Sequence, residues 1–378
     1  MNGFYYAFPY LLYVVYCLMI CRIQARGKVS INKVRQYTFW GFFLFFSLRG
    51  YVYSDCFEYY TIYESSKPFP NFEMQSISIV NYSIEPLFQL LAKSVKIFTD
   101  EYIALQTVNS LIDFWLLDIC LRRTPSKYAF TFLIFVIFYG IFIEINLLRN
   151  VKSILLFSIS TKYIVERNIK YYFFINLVGF LFHFSSIFVL PIYWIGNLKF
   201  PKILLWIILV VGIIIPLFNL RIVSSLLDLS FLSGMRYSVY LDSVSVGKFG
   251  IRSIERIVLF IIALKLYKRC DKEMMLYCNL YFIFYFLFQF FYDMEIIIDR
   301  LAKCYTLSIW FILPYYFNSL KVKTKKIAYM ILVLYGFAVI YVGNSDATAR
   351  YTNVLFNEID YNKAQSKYQD NLFYYKLK

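Results

Sequence analysis

Five stretches of this chain place ionisable or amide side chains beside long apolar runs: LRGYVYSDCFEYY (48–60), IEPLFQLL (84–91), EINLLRNVKS (144–153), LFHFSS (181–186) and DRLAKCY (299–305). Ionisable groups at membrane depth are costly, so each needs either a partner or a function. In the first stretch Arg49, Asp55 and Glu58 stand among tyrosines. That mixture suits sugar: planar rings cover pyranose faces, carboxylates accept hydroxyl hydrogen bonds, and Asp55 could take the proton of an attacking hydroxyl. An interfacial aromatic belt with ordinary loop charges accounts for the same residues. Glu85, directly before Pro86, is either a substrate-binding acid or a first-turn acid favoured by the helix dipole.

In EINLLRNVKS the spacing of Arg149 and Lys152 lets both project to one side at the start of a helix expected over 151–165. Free backbone N–H groups lie there too. Such a set suits a phosphate or diphosphate, with Asn146 and Asn150 flanking Arg149 in the turn. The alternative is that the two cations snorkel into lipid headgroups. Arg300 would supply a further cation, and Arg252 and Arg256 two more on the same side. His183, the single histidine, can serve as acid, base or phosphate hydrogen-bond donor near neutral pH, or be structural. One histidine without a cysteine or acid cluster makes no metal site. The chain has no phosphate-binding glycine loop, nucleotide fingerprint or HExxH motif, so no cofactor and no ATP are implied. Asp113 and Asp118 are expected to pair with a neighbouring helix or lie near the inner end of one.

What must position these groups follows from composition. With 60% hydrophobic, 22% aromatic and 16% charged residues, the chain departs from soluble domains, which carry about a quarter charged residues. It reads as an all-α polytopic membrane protein, one integral domain over 1–378. The first apolar run lacks a preceding cation and a small-residue cleavage site, so it reads as a retained helix. Six short linkers, near 22–35, 122–127, 162–170, 197–202, 265–272 and 321–326, hold 21 of the 39 Lys and Arg against Glu166, Asp271 and Glu273. By the positive-inside rule they face the cytoplasm and outweigh any argument for nucleic acid from the +16 net charge.

That assignment sets crossings near 3–21, 36–48, 103–121, 128–143, 151–165, 203–220, 252–267, 275–291, 301–317 and 327–343. The run 171–196 must then be a short or re-entrant pair of legs meeting near His183, giving about 12 transmembrane helices. Segment 84–98 carries Lys93 and Lys96 and is expected to lie at the outer surface. The longest outer loops are 49–83 and 221–251, and 344–378 is a polar, tyrosine-rich tail. The seven cysteines show no paired spacing and read as packing residues.

The order of motifs, more than any single one, resembles the EpsG-like family of bacterial polysaccharide polymerases, relatives of the Wzy-type O-antigen and capsule polymerases. The similarity runs from about residue 45 to 200 and extends through DRLAKCYTLSIWFILPYY. Arg49, Gly50, Asp55 and Tyr59 match an Arg-Gly, then Gly-Thr-Asp-Tyr pattern, with Tyr53-Ser54 in place of Gly-Thr and Cys56 in place of the Tyr. Asn146 and Arg149 match an Asn-x-x-Arg-Gln helix start, with Asn150 for Gln. Phe182, His183 and Ser185 match Phe-His-x-Ser-Ala, with Ser186 for Ala.

The resemblance implies a bacterial cytoplasmic (inner) membrane enzyme with an outward site and, as for some members, a GT-C-like architecture. It implies joining of undecaprenyl-diphosphate-linked oligosaccharide repeats into O-antigen, capsule or exopolysaccharide, among membrane lipids and beside a flippase and a chain-length regulator. No nucleotide sugar and no nucleic acid enter. Arg149, with Arg300 and Lys152, would stabilise the leaving diphosphate, and Asp55 or His183 would activate the acceptor hydroxyl. Glu58, Glu85, Asn146 and Asn150 would bind substrate, and Arg49 would bind its phosphate or position Asp55. Two other functions remain open at this level: another lipid-linked glycan transferase or ligase, and a flippase for the lipid-linked repeat.

Overall fold

The computed structural model describes residues 2–68, 84–220, 249–268, 270–294, 298, 301–357 and 359–376. Arg300 and most of the two expected outer loops, 69–83 and 221–248, lie outside the described residues. Among those described, the fold is helical, with one isolated backbone bridge, Arg49 to Asn353.

The helices are α1 Asn2–Ala25, α2 Ile31–Phe42, α3 Asp55–Ser65, α4 Pro86–Lys96, α5 Tyr102–Leu121, α6 Tyr128–Phe135, α7 Ile141–Asn146 and α8 Asn150–Val165. They are followed by α9 Ile169–Phe182, α10 Ile192–Ile195, α11 Lys202–Leu217, α12 Ile251–Tyr267, α13 Lys272–Phe290, α14 Leu307–Ser319, α15 Val322–Asn344 and α16 Tyr361–Lys376. Local chemistry explains their starts. Asn168 and Asp271 take the free N–H of Tyr171 and Met274 at 3.3 and 2.8 Å, and Pro86 occupies the first turn of α4, where an N–H has no partner anyway. Among the described residues, Gly3–Ala25, Tyr102–Leu121, Tyr128–Asn146, Lys272–Phe290 and Val322–Asn344 are each long and apolar enough to cross a membrane.

The chain divides into two compact units. The first contains α1 to α3, Glu85–Leu155 and Phe317–Lys378. Here α1 packs along α15, α6 and α2, and α4 packs on α5 and α3. The close approach of α2 to α1 has no room for a side chain at Gly41: a Cβ there would stand 2.1 Å from the Tyr16 ring. The second unit contains Leu156–Tyr316. In it α11 and α12 both lie on α13, and Gly212 of α11 leaves the space that the Tyr285 ring fills on its way to the Leu209 carbonyl, 3.1 Å.

Two wide π turns interrupt helices of the first unit, Phe43–Ser47 after α2 and Val136–Gly140 between α6 and α7. In the second, Phe138 and Tyr139 leave helical geometry and Tyr139 has φ 70°. The expected uniform crossing over 128–143 is therefore kinked, and it runs on to Asn146. π turns frequently mark functional places. These two precede Arg49 and Asn146.

Candidate functional site

The first unit brings together three of the five stretches singled out by sequence. Arg49 follows the first π turn, α3 carries Asp55 and Glu58, Glu85 precedes α4, and the turn 147–149 joins α7 to α8. α3 contacts both α4 and α7, which brings these stretches side by side.

Arg149 is the meeting point. Its Nη1 donates to Glu85 Oε2 at 2.5 Å, and its Cζ lies 5.6 Å from the centroid of the Tyr59 ring. The side chain remains 23% accessible, while its Nε is buried with no hydrogen-bond partner among the described residues. A guanidinium fixed at one end by a carboxylate and across its face by a ring has little freedom left, and it keeps an unused donor. Tyr59 is buried, which raises its pKa above the ordinary phenol value; Arg149 opposes the shift while Asp55 and Glu85 add to it. Tyr59 is therefore a neutral phenol at neutral pH, and the charges of Asp55, Glu85 and Arg149 surround it.

Asp55 is half-buried in the first turn of α3 and accepts a hydrogen bond from Ser54 Oγ at 3.0 Å. Its backbone N–H donates to Asn146 Oδ1 at 3.4 Å, which ties α3 to the end of α7. Asn146 thus positions the acid, and Asn150 accepts from Ser153 Oγ at 2.7 Å at the start of α8. Glu58 is exposed. Glu85 occupies the N-cap position of α4, but its side chain makes no capping hydrogen bond; it reaches Arg149 instead. The helix-dipole role expected for Glu85 gives way to an ion pair.

Two cations depart from expectation. Arg49 is 1% accessible and points inward, where Nη1 donates to the Phe46 carbonyl and to Ser110 Oγ, and Nη2 to the carbonyls of Glu144 and Ile145 at 3.3 and 3.4 Å. Its guanidinium holds the end of α7, and is taken up there instead of reaching Asp55 or an outer phosphate. Lys152 is wholly buried. Its Nζ donates to Asn109 Oδ1 at 2.6 Å and to Asp113 Oδ1 and Oδ2 at 2.9 and 3.1 Å, both on α5. Neither lipid nor an outer ligand can reach it. The reason is the helical phase: Arg149 lies in the turn and Lys152 one turn later, on the face of α8 that meets α5. Asp118 likewise has partners, Arg35 at 2.7 Å, Tyr128 at 2.8 Å and Arg122.

The second unit holds His183, which ends α9 with extended backbone, φ −158°. The expected break between two short legs is at this residue. Its Nδ1 accepts the backbone N–H of Ser185 at 3.2 Å and lies 2.7 Å from Ser185 Oγ, capping the tight turn Phe184–Val189. A ring nitrogen that accepts from a backbone N–H carries a lone pair, so the neutral ring bears its proton on Nε2. Of the additional cations, Arg252 pairs with Glu255 at 2.7 Å and Arg256 covers the Phe288 ring at 4.2 Å.

Sequence reasoning gave the C-terminal tail no role, yet it completes the first unit. Gly50 N–H donates to Thr352 O at 2.9 Å, Val354 N–H to Leu48 O at 2.9 Å and Tyr53 N–H to Thr348 O at 3.1 Å. Tyr361 of α16 stacks on Tyr60 with centroids 3.7 Å apart. Tyr53 has φ 62°, where glycine is unstrained and a bulky residue is not. It stands where the EpsG-like pattern has glycine, and its hydroxyl donates to Asn344 Oδ1 at 2.5 Å, so the tail helps hold the strained turn just ahead of Asp55. In the sequence the tail stands out by its tyrosine content, without a clear pattern.

The EpsG family model matches residues 34–357, a span that contains all five stretches singled out by sequence and ends ahead of α16. No curated protein and no solved structure matches the chain.

Proposed function

Because the chain belongs to the EpsG family, we propose that it is a polysaccharide polymerase that joins lipid-diphosphate-linked oligosaccharide repeats, undecaprenyl diphosphate being the carrier, at the outer face of the cytoplasmic membrane. The apolar helices and the family are those of a membrane protein of polysaccharide biosynthesis. The finer reading rests above all on Arg149, a cation held by Glu85 and Tyr59 with a buried donor left over, in the same cluster as Asp55. On our reading the basic linkers face the cytoplasm, and the topology of about 12 crossings expected from them would put this cluster at the outer surface.

In the reaction the anomeric carbon–oxygen bond to the diphosphate of the growing chain breaks, and a new glycosidic bond forms to a hydroxyl of the incoming repeat. That hydroxyl gives its proton to Asp55. The electron pair leaves with the lipid diphosphate, whose growing charge Arg149 meets through the accessible part of its guanidinium. Glu85 and Tyr59 hold the guanidinium in place, so no reorganisation is needed when the charge develops. Asp55 is the base in preference to His183, because the Nδ1 lone pair of His183 caps a turn and Nε2 carries a proton. No nucleotide sugar is required, since the leaving group arrives on the donor.

Removing one transition-state donor typically costs about 10²–10³-fold in rate. Arg149→Ala in cells should therefore abolish long polymer while single repeats still reach the surface. Undiminished chain length would overturn the assignment of Arg149. Lipid-linked polymer that accumulates on deletion of the gene would indicate a ligase, and repeats trapped on the inner leaflet would indicate a flippase.

A further inference from the structure

A concave site lies in the first unit between the strained turn at Tyr53 and the C-terminal segment, with Tyr53 and Phe57, on either side of Asp55 in the chain, in its lining. It is a cavity of about 250 Å³, near the small end of ligand pockets, which run from roughly 300 Å³ upward. One or two sugar rings fill such a space. We propose that this cavity is a subsite for an acidic saccharide, so that the polymer handled by the chain carries carboxylate-bearing sugars; the inference rests on the polymerase reading and names its substrate class.

Three observations carry it. The first is charge. Lys363 and Lys367, one helical turn apart on α16, line the cavity with Arg350, and Asp360 is the acid among the described lining residues. Asp360 is already engaged, accepting the Lys363 N–H at 3.0 Å as a helix cap. Like charges four residues apart on a helix repel by a few tenths of a kcal/mol, a cost that an anion between them removes.

The second is the lining. Tyr51, Phe57 and Tyr368 contribute rings, with Tyr51 and Phe57 nearly parallel at 6.0 Å and Phe57 and Tyr368 at 5.1 Å. Aromatic faces beside the hydroxyls of Thr348 and Thr352 and the amide of Asn357 offer both halves of sugar recognition, apolar cover for ring C–H groups and hydrogen bonds for hydroxyls. A lipid headgroup site needs the cations but not the ring platform. The third is strain: Tyr53, with φ 62°, is itself part of the lining. Residues held in sparsely populated backbone regions cluster at ligand sites.

The test uses the full-length protein purified in a neutral detergent, titrated with tetragalacturonate and, separately, with maltotetraose. Tetragalacturonate should bind saturably, and maltotetraose more weakly by about tenfold or more, a difference of about 1.4 kcal/mol. Lys363→Gln with Lys367→Gln should weaken tetragalacturonate by a similar factor at an unchanged melting temperature, because both side chains are exposed. Arg350→Gln alone should give a smaller loss. The proposal is overturned if tetragalacturonate does not saturate, if maltotetraose binds equally well, or if the double variant binds like the wild type. It is also overturned if nanodiscs of phosphatidylglycerol, but not of phosphatidylcholine, abolish binding, which would assign the cations to lipid. None of these results touches Arg149: a failed subsite leaves the polymerase reading standing, and polymer surviving Arg149→Ala defeats that reading whatever the cavity binds.

Discussion

Lys152 separates a structural account of the opening of α8 from a ligand-binding one. Its ammonium is wholly buried with Asp113, both carboxylate oxygens within 3.1 Å, and Asn109 joins the pair at 2.6 Å. Removing one member of a buried pair leaves an uncompensated charge and costs about 3–5 kcal/mol. Lys152→Met alone should therefore lower the melting temperature of the purified protein by on the order of 10 °C, at roughly 2–4 °C per kcal/mol for a unit of some 200 residues. Replacing both partners, Lys152→Met with Asp113→Leu, removes both charges together. What remains is the loss of partners for Asn109, about 1–3 kcal/mol, softened because Asn109 Nδ2 keeps the Leu148 carbonyl at 3.3 Å. The double variant should thus recover most of the lost stability, and with it polymer synthesis. A thermal-shift assay beside a polymer-length gel reads both. An unchanged melting temperature in Lys152→Met would refute the buried-pair reasoning; a stable double variant that makes no polymer would show that Lys152 acts on substrate after all.

Glu85→Gln keeps an acceptor for Arg149 and should retain polymer, whereas Glu85→Ala frees the guanidinium and should shorten chains markedly, as a polymer-length gel would show. His183→Asn preserves a cap for Ser185 and should retain activity; if it is as inactive as His183→Ala at equal melting temperature, the ring has a chemical role. Gly50→Ala should cost about 1–3 kcal/mol, because a Cβ there would stand 2.2 Å from Thr352 Oγ1 and 2.7 Å from Ile359 Cδ1. Its melting temperature should fall, with partial rescue by Thr352→Ala.

Much of the helical frame could be read from the chain because apolar runs and basic linkers are local signals. The helices over Tyr102–Leu121, Lys272–Phe290 and Val322–Asn344 coincide with expected runs, and the break at His183 followed from counting charge on the linkers. Arg149 and Asp55 could be singled out as a cation and an acid beside apolar runs, since their neighbours are polar. What stayed hidden depends on partners distant in sequence. Arg49 turns inward to carbonyls 95 and 96 residues away, and Lys152 turns to an aspartate 39 residues away; neither direction can be read from spacing. The tail was opaque for another reason. It docks by backbone hydrogen bonds and ring contacts, which leave no hydrophobic period behind.

Reconstitution separates a polymerase from every other reading of this membrane protein. Purified chain in liposomes, supplied only with an undecaprenyl-diphosphate-linked repeat, should convert it into a ladder of longer lipid-linked chains and release one undecaprenyl diphosphate per junction. The Arg149→Ala protein, prepared alongside, should leave the repeat as it was. A wild-type chain that leaves the repeat unjoined, or an Arg149→Ala chain that builds the same ladder at the same rate, would contradict the account.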